Sequence, residues 1–210
     1  MKLYVVPAAP NPTRVMLYIA EREAMGTQFD IEQVRVNTLK GQQNMPEHLA
    51  RNRFGTIPVL ELDDGRFLIE SLGIIAFLED LFPEGNLLGP DAVEAALARD
   101  FERTLELRVL MPLGQYVHAT NSPFGAPPNP ELAAQIEAAM PKAMGLIEER
   151  LSDGRDLLGG DRVSIADCTL QAGLQFARFG KAEVLDGYPL IQAWDQRYRE
   201  RDAAKAVLKF

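Results

Sequence analysis

A single cysteine in 210 residues, Cys168, removes two classes of protein at the outset. A lone thiol closes no intramolecular disulfide, and Cys-rich metal sites need several thiolates. Histidine is almost as scarce, and His48 and His118 stand too far apart to read as a metal-ligand pair. Positive charge is short as well, with 22 Lys and Arg against 30 Asp and Glu and a net charge of −8. Nonspecific nucleic-acid binding and attraction to anionic lipid both need clustered cations, so both are disfavoured. No apolar run is long enough to cross a bilayer, and residues 1–6 are too few for the apolar core of a secretion signal. The expectation is a cytoplasmic protein with no metal, no nucleic-acid partner and no membrane partner.

What remains is ordinary for a globular chain, with 47% apolar and 25% charged residues and enough length for one or two domains. One stretch is more informative. Gly55-Thr56-Ile57-Pro58-Val59-Leu60, Asp64-Gly65 and Ile69-Glu70-Ser71 read as strand, tight turn, strand and helix start. A proline ahead of an apolar run cannot donate to a sheet ladder, so it belongs at a strand entrance, where an X-Pro bond tolerates the cis form. The backbone groups of Ile57 would then face outward. Asp64-Gly65 closes a hairpin, and after Phe67–Ile69 the apolar spacing turns helical, which makes Ser71 the expected N-cap.

These elements would form a pocket with free backbone groups on one wall and the positive end of a helix on another. A free α-carboxylate could sit at Ser71, with Glu70 taking an α-ammonium, while an extended dipeptide pairs with Ile57. Taken singly, Ser71 reads as a helix cap and Pro58 as a turn former.

The order Asn52-Arg53-Phe54-Gly55-Thr56-Ile57-Pro58, Asp64-Gly65, Glu70-Ser71 resembles the glutathione-binding half of the glutathione transferase family, whose pattern is Asn-Pro-x-Gly-x-(Val/Ile)-Pro followed by Glu-Ser. Arg53 stands where proline is usual. The resemblance extends over essentially the whole chain. It implies a cis Pro58, an Ile57 backbone that pairs with the cysteinyl part of glutathione, and Glu70 and Ser71 holding the γ-glutamyl end.

Periodicity gives a strand at 2–6, a helix at 13–24, a strand at 29–36, a helical turn at 46–51, the hairpin, and a helix at 71–82. This order is similar to the thioredoxin-like fold. The breaker-rich segment 83–90 reads as a linker, and everything beyond it is helical. The expected class is α/β plus all-α, with a thioredoxin-like glutathione-binding domain at 1–82 and an all-helical C-terminal domain at 91–210. Ser164 and Asp167 have capping-box spacing, which puts Cys168 on the first turns of an apolar helix. Cys168 therefore reads as inert core, and the resemblance likewise makes Ser164 and Asp167 structural.

In the family, a Tyr, Ser or Cys between the first strand and first helix touches the glutathione sulfur. The serine-type position falls on Ala9, which has neither hydroxyl nor thiol. Ala9-Pro10-Asn11 resembles the Thr-Pro-Asn run of the nu class and of yeast-type relatives, in which the asparagine contacts the sulfur. The Asn11 amide can donate to a thiolate, and the helix start adds its dipole. Asn followed by Pro12 is equally an N-cap followed by an N1 proline. Register against nu-like sequences places Gln43 at the glycine end, with Lys40 beside it; both also read as solvated loop residues. Leu113, Tyr116, Val117, Phe176 and Phe179 are candidates for a cleft beside the sulfur, and each reads more simply as core.

The resemblance implies an enzyme that uses the thiolate of reduced glutathione, its co-substrate, on a disulfide, a peroxide or a small hydrophobic electrophile. Asn11 tilts this toward disulfide reduction, with detoxifying conjugation second. The alternative is a glutathione- or ligand-binding protein without useful catalysis, a reading that Ala9 favours. A homodimer is implied by the resemblance alone.

Overall fold

The computed structural model describes residues 1–210. Its first part holds β1 (Lys2–Val5), α1 (Pro10–Ala24), β2 (Glu32–Arg35), α2 (Pro46–Arg51), β3 (Val59–Glu61), β4 (Phe67–Leu68) and α3 (Ser71–Leu81). The strands lie in the order β2-β1-β3-β4; β1 runs parallel to β2 and antiparallel to β3, which is antiparallel to β4. This is the thioredoxin-like arrangement expected from the sequence. Period-two alternation places Leu3 and Val5 in the main core, with Val15, Leu17, Leu60, Ile74 and Leu78. Tyr4 goes to the opposite face with Val36 and Val59.

Local chemistry moves several boundaries. Helix α1 starts at Pro10, three residues before the expected Thr13, because the fixed φ of Pro10 and Pro12 suits a first turn. Strand β2 covers only Glu32–Arg35, since Phe29 leaves the ladder to pack edge-on against Phe82 and beside Tyr18. The buried Arg22 guanidinium binds Glu79, Tyr18 Oη and the carbonyls of Phe82 and Glu84, so α1, α3 and the chain leaving α3 are tied together.

The helical part comprises α4 (Ala92–Leu105), a single π-helical turn (Glu106–Leu110), α5 (Met111–Asn121), α6 (Pro130–Leu151), α7 (Ile165–Phe179), α8 (Pro189–Arg199) and α9 (Asp202–Val207). Asp91 caps α4 by accepting from the N–H groups of Val93 and Glu94. The chain is then helical without a break to Asn121, with the π turn set between α4 and α5. Helix α7 is buried almost throughout and packs on α1, α4 and α5. Polar links join the two parts: Gln175 donates to Thr13 Oγ1 at 3.0 Å, and Arg201 grips the buried Glu21 carboxylate at 2.6 and 2.8 Å. No helix is long and apolar enough to cross a membrane.

Candidate functional site

The starts of α1 and α3 are joined by side-chain hydrogen bonds, and Ile57 in the loop before β3 packs with Ile69, just ahead of α3, against the Tyr4–Val36–Val59 cluster. Ile57-Pro58 is cis, as the sequence predicts, and it is the only cis bond. Ile57 is half-buried, and neither its N–H nor its C=O has a protein partner. Unpaired main-chain groups beside a sheet can receive an extended peptide. The preceding loop is rigidly held, for Asn52 binds Thr56 O at 3.0 Å, Thr56 Oγ1 at 2.8 Å and Phe54 N–H at 3.1 Å.

Helix α3 departs from expectation in one detail. The N-cap is Glu70, whose carbonyl accepts from Ile74 N–H at 2.9 Å, and Ser71 is the first helical residue. Its hydroxyl caps nothing; it accepts from Arg14 Nε at 2.9 Å and Arg14 Nη2 at 2.6 Å and donates to Asn11 Oδ1 at 3.3 Å. The N–H groups of Ser71, Leu72 and Gly73 are therefore open. Glu70 is exposed and its carboxylate has no ion-pair partner. An anion at these N–H groups with an ammonium at Glu70 is chemically well matched.

Asn11 lies in the first turn of α1 and is not its N-cap, a place taken by Ala9, whose carbonyl accepts from Thr13 N–H at 3.0 Å. Pro10 and Pro12 have no N–H, so the opening turn retains only two donors, both on Asn11: its backbone N–H and its side-chain Nδ2. The orientation of that amide follows from Ser71. A hydroxyl that already accepts two bonds has only its hydrogen to give, so its partner is the carbonyl oxygen of Asn11, and Nδ2 is left free. Just upstream, Ala8 is buried with φ of 72°, a left-handed conformation that an alanine adopts under strain.

Arg14 is the residue that sequence reasoning missed. Its guanidinium is buried, with Glu102 at 3.1 Å and Glu106 at 2.5 Å, while Glu106 also takes Arg103. Glu102 accepts from Thr169 Oγ1 at 2.7 Å as well. Burial raises its pKa, against the pull of the Thr169 hydrogen bond and the Arg14 charge. The signal was present: Asn11 and Arg14 share a helix face at i,i+3, and a cation stands immediately before the apolar run 15–19. The other residue to escape notice is His48, read in the sequence only as a metal-ligand candidate and rejected; it is buried beside the Ile57 loop.

Gln43 lies in a short 3₁₀ turn (Gln42–Asn44) whose backbone abuts Gly55, and its Oε1 is buried without a partner. It therefore neighbours the Ile57 loop, whereas Lys40 is exposed and unpaired. The cleft candidates divide. Leu113 and Val117 are core, and the Tyr116 hydroxyl is committed to Glu137 on α6. Phe176 and Phe179 belong to an aromatic ladder that runs Phe124–His118–Phe176–Phe179–Phe210, with centroids 5.2 to 6.0 Å apart. Burial lowers the His118 pKa. Cys168 is fully buried, and burial pushes its thiol well up, so it is no nucleophile.

Comparison with known proteins identifies the family. Residues 3–86 match the family model for the glutathione S-transferase N-terminal domain, and residues 112–202 match that for the C-terminal domain. The chain is 31% identical to glutathione S-transferase 2 of Saccharomyces cerevisiae, covering 100% of this chain and 90% of that protein. It is 32% identical to a probable glutathione S-transferase of Oryza sativa subsp. japonica, over 99% and 95% of the two. The crystal structure of Gtt2 from Saccharomyces cerevisiae superposes with a TM-score of 0.85 at 32% identity, covering 99% of this chain and 100% of that one. On the two domain models, these relatives and the shared fold, the chain belongs to the glutathione S-transferase family.

Proposed function

We propose that this protein binds reduced glutathione and uses its thiolate on a second substrate. The observation that carries the reading is the union, through Ser71 Oγ, of an open helix N-terminus at α3 with the only free donors of the α1 opening turn, next to the unpaired backbone of Ile57. The γ-glutamyl carboxylate lies on the α3 N–H groups and its ammonium on Glu70. The cysteinyl backbone pairs with Ile57, ahead of Pro58, and Gln43 attends the glycine end. The sulfur meets Asn11. Residues 1–82 serve as the glutathione-binding unit, 83–90 as linker and 91–210 as the helical domain.

Asn11 N–H and Nδ2 donate to the thiolate, and the α1 dipole adds to them, so ionisation becomes easier than the unperturbed thiol pKa of about 8.5. In disulfide exchange the thiolate attacks one sulfur of the substrate, a new S–S bond forms, the old one breaks, and the departing thiolate takes a proton from water. Ala9 offers no hydroxyl in competition, which leaves this duty to Asn11. One observation favours a second reading. The aromatic ladder on α5, α7 and the C-terminus would stack a flat aromatic electrophile, which suits conjugation.

Asn11→Ala should lower turnover about tenfold or more while glutathione affinity changes little. Unchanged turnover would reject the role of Asn11. We further propose a cytoplasmic homodimer; the exposed Phe54, Leu97, Leu107, Met111 and Leu146 are the apolar surface a second copy would cover. Sedimentation at the monomer mass across micromolar concentrations would refute it.

A further inference from the structure

We infer that His48 and Asn52 are positioning residues that aim the Ile57 N–H at the glutathione backbone; this deepens the proposed function and rests on docking of the cysteinyl unit at Ile57. The Thr56 carbonyl is the focus of two buried donors. His48 Nε2 lies 3.0 Å from Thr56 O, and Asn52 Nδ2 lies 3.0 Å from the same oxygen. Both side chains are 2% exposed, although Thr56 itself is exposed. A carbonyl only accepts, so the proton of the His48 ring resides on Nε2.

The Thr56–Ile57 peptide is trans, since Ile57-Pro58 is the only cis bond. In a planar trans peptide the C=O and the N–H point in opposite directions. Two hydrogen bonds that hold the Thr56 carbonyl inward therefore turn the Ile57 N–H outward, where no protein group meets it. Without them no hydrogen bond fixes this peptide plane, and the N–H loses its set direction.

A second observation separates this role from packing. His48 Nδ1 is buried with no hydrogen-bond partner. An unpaired buried nitrogen is costly, and a leucine or phenylalanine would fill the same space without it. The imidazole is retained for the one bond it does make. Its product is pre-organisation: the ligand meets a backbone donor already oriented, and binding does not have to order the loop.

The test uses full-length protein, reduced glutathione and an analogue whose Cys–Gly amide is replaced by an ester, a weaker acceptor for the Ile57 N–H. His48→Leu should raise the Kd for glutathione about tenfold, with turnover at saturating glutathione within about twofold of wild type. His48→Gln, whose amide nitrogen reaches a similar place, should restore most of the affinity. The ester should bind wild type more weakly than glutathione does, and in His48→Leu that penalty should largely disappear. An unchanged Kd, or an equal ester penalty in both proteins, overturns the assignment of His48 and leaves the glutathione reading intact. Absence of glutathione binding to wild type overturns the reading itself. If His48→Leu does not fold, nitrogen-15 NMR of wild type decides: the Nε2–H tautomer supports the inference, and a bare Nε2 overturns it.

Discussion

The start of α7 and the starts of α1 and α3 are built from similar parts and do opposite things. At α7 the donors around the capping aspartate are engaged inside the protein. Asp167, fully buried, accepts from Ser164 N–H and Oγ, from Leu158 N–H, from Gly159 N–H and from Trp194 Nε1. At α3 the serine hydroxyl is drawn away by Arg14, and three N–H groups are left open. At α1 two prolines remove donors and Asn11 supplies the two that remain. A closed helix start contributes to folding; an open one, next to unpaired backbone, is available to a ligand.

The largest effect expected from this contrast is on stability. Asp167→Ala strands several buried donors and should cost about 3–5 kcal/mol, lowering Tm by roughly 10 °C. Glutathione affinity of the folded fraction should not change. A loss below about 1 kcal/mol in denaturant titration would break the comparison at its closed end. Arg14→Ala comes next, because it leaves the buried Glu102 without its cation and releases Ser71 and Asn11 together; about 3 kcal/mol of stability and most glutathione affinity should go. Retained affinity in that variant would mean that the two open helix starts are independent.

Ser71→Ala removes the hydroxyl that unites them and should raise the glutathione Kd about tenfold by calorimetry. Equal affinity would argue against the γ-glutamyl assignment. The smallest effect belongs to Cys168→Ala. Turnover should stay within about twofold of wild type, because the thiol is sealed in the core and held protonated by burial. A large loss would place redox chemistry where the structure places packing.

Much of this was legible in the chain because it depends on local chemistry. The hairpin at Asp64-Gly65 and the capping pair Ser164 and Asp167 follow from residues that act on their immediate neighbours, and the cis Ile57-Pro58 bond from the family resemblance. The role of Ser71 was misread for the opposite reason. Serine at a helix start caps by default, and only the arrival of Arg14, 57 positions away, diverts its hydroxyl. The orientation of the Asn11 amide, the Glu102–Arg14–Glu106 cluster and the His48 bond to Thr56 depend on tertiary neighbours. The sequence puts Asn11 at the start of α1 but one proline off: two prolines flank it, and Pro10 rather than Pro12 opens the helix.

The central claim is that the open start of α1 receives a thiolate. A pH titration of the thiolate absorbance of enzyme-bound glutathione, compared between wild type and Asn11→Ala, tests it most directly. The account predicts a bound thiol that ionises well below the free value of about 8.5 in wild type and moves back toward it in the variant. A bound thiol that ionises at the free value in both proteins would contradict it.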